Sequence, residues 1–256
     1  MFKRIFTLIL ALVVTSILAA GMVSTAQAAG INGQGNGNGG QAGYRQPART
    51  PPAYPPGAGL PTAAPGELTQ AEIDGLLFMR EEEKLAHDVY ASLYQTWNLP
   101  VFINISKSEQ SHFDAIGVLI QRYGLTDSAS SQAGVFTNPD LQALYNDLIA
   151  QGERSLADAL KVGAAIEEID ILDLQSRLVQ TQRADIQQVY NNLEQGSRNH
   201  LYAFVRTLET QIGEEYSRQF LSPAEYADIV SSQTGQGRDT AAVRAGQGGS
   251  VRAGRP

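Results

Sequence analysis

The sequence has no cysteine, a single tryptophan and only three histidines among its 256 residues. The lack of cysteine excludes disulfide bonds, a lipoprotein-type lipid anchor and metal binding by thiolates. Any metal site must therefore be built from carboxylate oxygens and imidazole nitrogens. Long runs of alternating apolar and polar residues are also lacking between the helical patterns, so a β-sheet is not expected.

The N-terminus has the pattern of a secretory signal peptide. The basic pair Lys3-Arg4 precedes an almost uncharged stretch, and Ala26 and Ala28 provide the small residues of a cleavage site. We predict that residues 1–28 form a signal peptide, which is cleaved to leave a secreted or periplasmic protein without a stable membrane anchor. An uncleaved anchor is the alternative, because the apolar run approaches the ~18 residues of a spanning helix.

Composition divides the rest of the chain into three parts. Residues 29–66 are rich in Gly, Gln, Pro and Ala, and residues 231–256 are rich in Gly and Arg. Such segments bury too little apolar surface to offset the entropy of ordering, so we predict a disordered linker and a disordered tail. Residues 67–230 should form one folded domain. This domain carries 25 acidic and 11 basic residues, and its net charge of −14 argues against nucleic acid as a partner.

Apolar residues recur at helical spacing throughout this domain. Four long helices are predicted, at about residues 69–98, 101–123, 155–178 and 184–212. Thr69 and Glu72 form a capping box at the start of the first helix. Shorter helices are predicted from Asn138 to Gly152 and from Ser222 onward, since Asn-Pro and Ser-Pro commonly open a helix.

The lengths of the loops indicate how these helices are arranged. Short loops after the first and third long helices predict two antiparallel hairpins. The stretch of ~30 residues between the second and third long helices is long enough to cross the whole length of a bundle. We therefore predict an all-α fold, a ferritin-like four-helix bundle in up-down-down-up order. Its two hairpins are joined by a crossover containing a short helix, and a short C-terminal helix follows.

Acidic residues and histidines interrupt the apolar stripe of each long helix. The residues that face inward, or border the inward face, are Glu82, Glu83, Glu109, His112, Glu167, Glu168 and His200. Four helices that each present Glu or His at mid-length can bind a metal in the core of a bundle. Oxygen and nitrogen ligands without sulfur suit iron, manganese or zinc. We predict one or two ions of iron or manganese as the partner of this domain.

Several of these positions also have a purely structural interpretation. Glu81, Glu82 and Glu83 could belong to a solvated face, although three consecutive positions span about 200° of helix, so at least one should turn inward. Ser106 and Glu109 fit a capping box. His87 lies off the inner stripe, and we expect it to pair at the surface.

The rival function is an exported helical interaction module without a metal, in which the same polar residues form a buried network. Four basic residues on the same helices could neutralise the acidic ones: Arg80, Lys84, Arg198 and Arg206. Such a network is stable only if each of its members is satisfied. If a metal is bound instead, each ligating histidine needs an acceptor for its other ring nitrogen, and Asp114 and Asp170 are candidates.

Four segments together resemble a known family. They read REEEKLA at 80–86 with DVY at 88–90, SEQSH at 108–112, EEIDILDL at 167–174 and GSRNHL at 196–201. This set resembles the ferritin-like family known as domain of unknown function 2202, over about residues 67–230. The resemblance implies a ferritin-like fold related to rubrerythrin and bacterioferritin, but no settled activity. If the predicted site binds two irons, we expect redox cycling between the ferrous and ferric states.

The resemblance also implies a ligand pattern, with one Glu on the first and third long helices and Glu-x-x-His on the second and fourth. The matching residues are Glu82 or Glu83, Glu109, His112, Glu167 or Glu168, and His200. Ser197 departs from this pattern, because it occupies the position of the last glutamate. Glu194, one turn earlier, or Asp170 across the core could replace the missing carboxylate.

Overall fold

The computed structural model describes residues 59–63 and 66–231, and these residues contain helices but no strand. The helices are α1 (Gln70–Trp97), α2 (Pro100–Arg122), α3 (Pro139–Gly152), α4 (Leu156–Leu178), α5 (Ala184–Ile212) and α6 (residues 223–231). The predicted all-α class is thus confirmed for this part of the chain. None of these helices is both long enough and apolar enough to cross a membrane. The predicted signal peptide, most of the linker and almost all of the tail lie outside the described residues.

Local side-chain chemistry sets the ends of the helices, as the sequence predicted. The Thr69 side chain accepts a hydrogen bond from the backbone of Glu72, whose carboxylate accepts one from the backbone of Thr69, which completes the capping box. Asn98 ends α1 in the left-handed conformation, with φ of 48°. Asn138 and Ser155 cap α3 and α4 by accepting hydrogen bonds from the first turn of each helix.

Contacts between side chains and the neighbouring helix give the directions within each hairpin. On α1 and α2, Ser106 Oγ donates to the carbonyl of His87 over 3.1 Å, and the Arg80 guanidinium donates to the carbonyl of Phe113. The residue numbers rise on one helix as they fall on the other, so α1 and α2 are antiparallel. Helices α4 and α5 are antiparallel by the same argument, from the pairs Ser197–Asp170 and Gln175–Glu194.

Contacts between the hairpins give the remaining directions. Ser108 Oγ lies 3.0 Å from His200 Nε2, and Arg122 donates to Asp185 over 2.9 Å, so α2 and α5 are antiparallel. Tyr90 on α1 donates to Glu167 on α4, while Glu72 accepts from Thr181, just after α4, so these helices are also antiparallel. The four long helices of this helical bundle therefore run up, down, down and up.

Two apolar layers stabilise the bundle above and below its middle. One layer is the cluster Leu76, Met79, Ile116, Leu119, Ile120, Leu174, Ile186, Val189, Tyr190 and Leu193. In the other layer Phe204 packs against Tyr90 and Phe102, with ring centroids 5.0 Å and 5.7 Å away. Each large side chain buried in this way contributes roughly 1.5–3 kcal/mol. The polar residues between the layers are therefore held in place by helices that the apolar layers on either side stabilise.

The segment between the two hairpins is fixed at two places along α1. Glu81 accepts hydrogen bonds from the backbone amides of Thr137 (2.6 Å) and Asn138 (2.8 Å), directly before α3. The indole of Trp97 donates to the carbonyl of Gly152, at the other end of α3, over 2.9 Å. Glu81 is thus buried because it anchors the crossover segment, and this segment covers the part of α1 that would otherwise face solvent.

Candidate metal centre

Two groups of buried Glu and His residues meet between the long helices. Glu83, Glu109 and His112 form the first group, and Glu109, Glu167 and His200 form the second. In each group, one ligand atom from each residue lies within 4.8 Å of the other two. Both groups could hold a metal ion, and Glu109 is shared by them. The ligand atoms come from α1, α2, α4 and α5, so every long helix contributes.

Both histidines direct Nδ1 toward the carboxylates. His112 Nδ1 lies 2.7 Å from Glu109 Oε2 and 3.3 Å from Glu83 Oε2. His200 Nδ1 lies 2.7 Å from Glu109 Oε1 and 3.5 Å from Glu167 Oε2. Each oxygen of Glu109 therefore serves a different histidine. A carboxylate placed in this way is suited to bridge two ions.

These close approaches are ion pairs between imidazole and carboxylate groups. Among the described residues, four atoms of the two groups are buried without a hydrogen-bond partner: Glu83 Oε1, Glu109 Oε1, His112 Nδ1 and His200 Nδ1. His200 Nδ1 and Glu109 Oε1 are 2.7 Å apart as an ion pair. A buried polar atom without a hydrogen bond is costly, and a cation between the carboxylates would give these converging atoms a common partner.

Neighbouring hydroxyl groups hold two of these side chains in place. The Nε2 atom of His200 lies 3.0 Å from the hydroxyl of Ser108, and Tyr90 donates to Glu167 Oε1 over 2.6 Å. Such partners orient a ligand and tune its basicity. From the sequence, Asp114 and Asp170 are candidate partners for the other ring nitrogen of a ligating histidine. In the structure, Ser108 takes this place for His200, and Asp114 accepts from Gln110 at the surface.

The start of α2 decides between the two interpretations of Glu109. The helix begins at Pro100, so Ser106 and Glu109 lie in its interior, and the capping-box alternative is wrong. Glu109 and His112 are one turn apart and share the inward face. The Glu109 side chain is only 2% exposed, compared with 11% for His112. Helix α2 therefore supplies two adjacent donors from a single turn.

Burial raises the pKa of two carboxyl groups in the centre. Desolvation brings the pKa of Glu83 to about 7, although His112 acts in the opposite direction. Desolvation and the Glu109 carboxylate bring the pKa of Glu167 to about 7 as well. Burial would lower the pKa of His200, but Glu109 and Glu167 raise it to about 10. The metal-free centre therefore retains protons that a cation would have to displace.

Glu109 behaves differently from the other carboxylates. Its burial alone would raise its pKa, but the charges of His200 and His112 hold that pKa below its usual value. Glu109 thus remains ionised between two histidines. Its position makes it the common counter-ion of both groups, with or without a metal.

Glu82 and Glu168 lie outside the two groups. Glu82 is buried, and desolvation followed by the charge of the Asp173 carboxylate raises the pKa of Glu82 well above its usual value. Glu168 is fully buried, but its carboxylate accepts from the backbone amides of Gln219 (2.9 Å), Phe220 (2.7 Å) and Leu221 (2.7 Å). The sequence left open whether Glu82 or Glu83, and whether Glu167 or Glu168, belongs to the site. The structure brings Glu83 and Glu167 into the two groups.

The basic residues of the metal-free alternative pair with acidic residues elsewhere. Their partners are Asp127 for Arg80, Asp88 for Lys84, Glu194 and Asp228 for Arg198, and Glu209 for Arg206. None of these partners belongs to either group. The contact expected for His87 is present, since His87 Nδ1 lies 2.9 Å from Asp88 Oδ1 with the histidine side chain 31% exposed.

Tyr90 and Ser108 are not among the ligands or ligand partners predicted from the sequence. The spacing held a usable signal in both cases. Tyr90 follows Glu83 by two helical turns and therefore lies on the same face of α1. Ser108 directly precedes Glu109 in the sequence. A hydroxyl side chain on the same helix face as a predicted ligand, or directly beside it, is thus a sequence signal for a residue that orients ligands.

Comparisons with known proteins identify the family. Residues 72–233 match the family described as an uncharacterized protein domain, DUF2202. The chain is 47% identical over 171 residues to the uncharacterized protein MJ0754 of Methanocaldococcus jannaschii, which covers 66% of this chain and 92% of that protein. The crystal structure of hypothetical protein MJ0754 is similar with a TM-score of 0.64 and 46% identity, over 66% of this chain and 96% of the other. The chain belongs to the DUF2202 family.

Proposed function

We propose that this protein is a ferritin-like metalloprotein that binds two iron or manganese ions between its four long helices. Glu83, Glu109 and His112 would hold one ion, and Glu109, Glu167 and His200 would hold the other. The observation that carries the proposal is the convergence of three buried carboxylates and two imidazoles from four helices, with the ligand atoms of each group within 4.8 Å of one another.

The directions of the helices support the ferritin-like assignment. Helices that run up, down, down and up require a long crossover between the two hairpins, which is the ferritin-like connection. The segment containing α3 makes this crossover along α1. In ferritin-like di-metal proteins the ligands project inward from all four helices, as the two groups do here.

The donor set supports iron or manganese. The two groups offer carboxylate oxygens and imidazole nitrogens without sulfur. Bound iron would supply one-electron redox chemistry, and this makes a redox or metal-handling role the proposed activity. The chain's own residues would keep the centre dry between two apolar layers, orient Glu167 through Tyr90 and position His200 through Ser108.

The metal-free network is the weaker account of the same residues. A buried polar network is stable only when all of its members are satisfied. Four atoms of the two groups are buried without hydrogen-bond partners in the described part of the chain. The basic residues invoked as neutralising partners pair with acids outside the groups. A cation between the carboxylates would give the unpartnered atoms a partner and would neutralise the carboxylate charges.

Thermal unfolding with and without a metal tests the proposal. We expect Mn²⁺ to raise the Tm of the wild-type protein, since a ligand at a thousandfold excess over Kd stabilises the fold by about 4 kcal/mol. The double variant His112→Ala, His200→Ala should lose this gain and keep its helix content by circular dichroism. His87→Ala is the matched control, and it should keep the gain. A wild-type Tm that does not respond to Mn²⁺ or Fe²⁺ would refute the proposal.

The gain in Tm should also grow as the pH rises. The raised pKa values of Glu83 and Glu167, about 7 compared with 4.5, stabilise the metal-free fold below pH 4.5, and this contribution is lost as the pH rises through about 7. The raised pKa of His200 has the same sign, and its contribution falls above pH 6.5. Metal ligands must lose their protons, so metal affinity rises over the same range. A metal-dependent gain that is equal at about pH 5 and about pH 8 would contradict this linkage.

Gly196 gives a test of the first group alone. A Cβ atom at Gly196 would lie 2.6 Å from His112 Nε2, so Gly196→Ala should displace the imidazole. We expect the affinity of one Mn²⁺ ion to fall by about 10- to 100-fold in isothermal titration. Gly152→Ala is the control, because its Cβ would meet Leu93 Cδ2 at the same distance of 2.6 Å, outside the two groups. Equal affinities for the two variants would speak against the role of His112.

Export is part of the proposal and rests on the sequence. The basic start, the apolar run and the Ala-x-Ala ending predict cleavage after Ala28. Mass spectrometry of the protein from its native host should find Ala29 as the first residue of the secreted or periplasmic form. Recovery of the chain with Met1 intact in the membrane fraction would contradict cleavage.

A further inference from the structure

We propose that Asp170 supplies the fourth carboxylate of the centre, at the place left by Ser197. The inference rests on the proposed metal function and adds a ligand to it. In the ferritin-like ligand pattern, the second Glu-x-x-His would put a glutamate at position 197 of α5. In this chain the carboxylate would instead come from α4, across the bundle.

The surroundings of Asp170 leave one of its oxygens available. Asp170 is 5% exposed and follows Glu167 by three residues, so both side chains leave the same face of α4. Its Oδ2 atom accepts a hydrogen bond from the hydroxyl of Ser197, which is fully buried. Its Oδ1 atom is buried and has no hydrogen-bond partner among the described residues. Ser197 thus fixes one oxygen, while the other remains free to bind an ion.

The neighbours of Asp170 belong to both groups. Its pKa is raised well above the usual value by burial and then by the charges of Glu83 and Glu167, with a smaller contribution from Glu109. These three residues come from α1, α4 and α2. Asp170 is therefore close enough to the carboxylates of both groups to feel their charges, and its buried, unpartnered Oδ1 atom is the atom that could join them in holding an ion.

Glu194, the other candidate considered from the sequence, is engaged elsewhere. Its carboxylate accepts from Gln175 over 3.1 Å and lies 3.6 Å from Arg198. The Glu194 side chain is also 18% exposed, whereas Asp170 is almost completely buried. Glu194 therefore has partners at the rim of the bundle, and Asp170 is the carboxylate that lies within it.

Equivalent positions in the two hairpins show a reciprocal exchange of residues. In the first hairpin, Ala86 follows Glu83 by three residues, and Glu109 precedes His112 by three. In the second hairpin, the residue three after Glu167 is Asp170, and the residue three before His200 is Ser197. In the first hairpin the small residue is on the first helix and the carboxylate is on the second. In the second hairpin the carboxylate is on the first helix and the small residue is on the second.

The charges of the centre support a fourth carboxylate. Glu83, Glu109, Glu167 and Asp170 carry four negative charges when ionised, and two divalent cations would balance them with both histidines neutral. Buried charges are tolerated when they are paired in this way. With only three carboxylates, two divalent ions would leave an excess positive charge in the core.

Substitution of Asp170 tests the inference by Mn²⁺ titration, which requires no assay of activity. Loss of a residue that only orients a metal ligand lowers metal affinity by about 10- to 100-fold. Asp170→Asn should lower Mn²⁺ affinity by at least this much, because it removes a ligand. Asp173→Asn is the control, because Asp173 follows on the same helix and is not proposed as a ligand. Circular dichroism should show the same helix content for both variants.

A relocation variant separates a ligand from a merely structural residue. Asp170→Ala combined with Ser197→Glu reproduces the Ala86 and Glu109 arrangement of the first hairpin, and it should recover most of the affinity lost in Asp170→Ala. If the wild type binds two ions and Asp170→Asn binds them with the same affinity, this inference is overturned and the proposed function stands. A wild-type protein that binds no Mn²⁺ would overturn the proposed function and this inference with it.

Discussion

Replacing Glu109 with alanine is expected to remove both metal ions at once. Glu109 directs one oxygen to the His112 group and the other to the His200 group, each 2.7 Å from a histidine Nδ1 atom. Glu83→Ala and Glu167→Ala should each weaken the binding of one ion, since each residue belongs to a single group. Metal analysis of the purified, dialysed variants measures the difference.

The same substitution should destabilise the metal-free protein. The two buried histidines share Glu109 as their counter-ion, and removal of one partner from a buried ion pair costs about 3–5 kcal/mol. Urea unfolding in the presence of a chelator measures this loss. Glu109→Gln keeps the side-chain shape and serves as the second variant, and Asp114→Ala is the surface control on the same helix. A Glu109→Ala protein that retains either ion at wild-type affinity would contradict the shared role.

Replacing Glu168 with alanine is expected to lower the free energy of unfolding strongly and to leave metal affinity unchanged. Its carboxylate accepts from three consecutive backbone amides, of residues 219, 220 and 221, which fixes the segment after α5 against α4. Hydrogen bonds to a charged group are worth ~1.5–3 kcal/mol each, and amides that become exposed recover part of this from water. The expected loss in the free energy of unfolding is about 3–5 kcal/mol.

The neighbouring residue provides the control for this prediction. Glu167→Ala should lower the affinity for one metal ion, whereas Glu168→Ala should bind both ions as the wild type does. Urea unfolding and Mn²⁺ titration of the two variants measure both quantities. If Glu168→Ala lost metal affinity at unchanged stability, the assignment of these adjacent residues would be reversed.

The helices of the fold could be predicted because their ends depend on nearby residues. Thr69, Asn138 and Ser155 cap helices through bonds that span two or three residues, and a sequence pattern records such bonds directly. The helix directions followed from the loops, since the two residues between α1 and α2 allow only an antiparallel hairpin. These features need no knowledge of the tertiary structure.

The environment of individual glutamates could not be predicted in the same way. Helical periodicity assumes that each helix has one buried face, but α1 is covered by α2, α4 and the crossover segment, so Glu81, Glu82 and Glu83 are all buried. Glu168 is buried by residues 219–221, which lie about fifty positions further along the chain. Contacts this remote leave no periodic signal in the sequence near the glutamate.

The same reasoning explains what the motifs could predict of the centre. Glu-x-x-His at Glu109 and His112 places two donors on one turn of α2, and the structure confirms that both side chains reach the cluster. The position of Asp170 opposite Ser197 depends on the register between α4 and α5, which no single motif specifies. The sequence therefore offered Asp170 and Glu194 as equal candidates, and only the packing of the helices separates them.

The metal content of the full-length wild-type protein decides whether its two groups of glutamates and histidines bind ions. The protein would be produced with iron or manganese in the medium and dialysed to remove loosely bound ions. Elemental mass spectrometry and the protein concentration then give the number of metal ions per chain. We expect two ions per folded chain, and we expect Glu109→Ala to lose both. A folded wild-type chain that retains neither iron nor manganese, and takes up neither when both are supplied, would contradict this expectation.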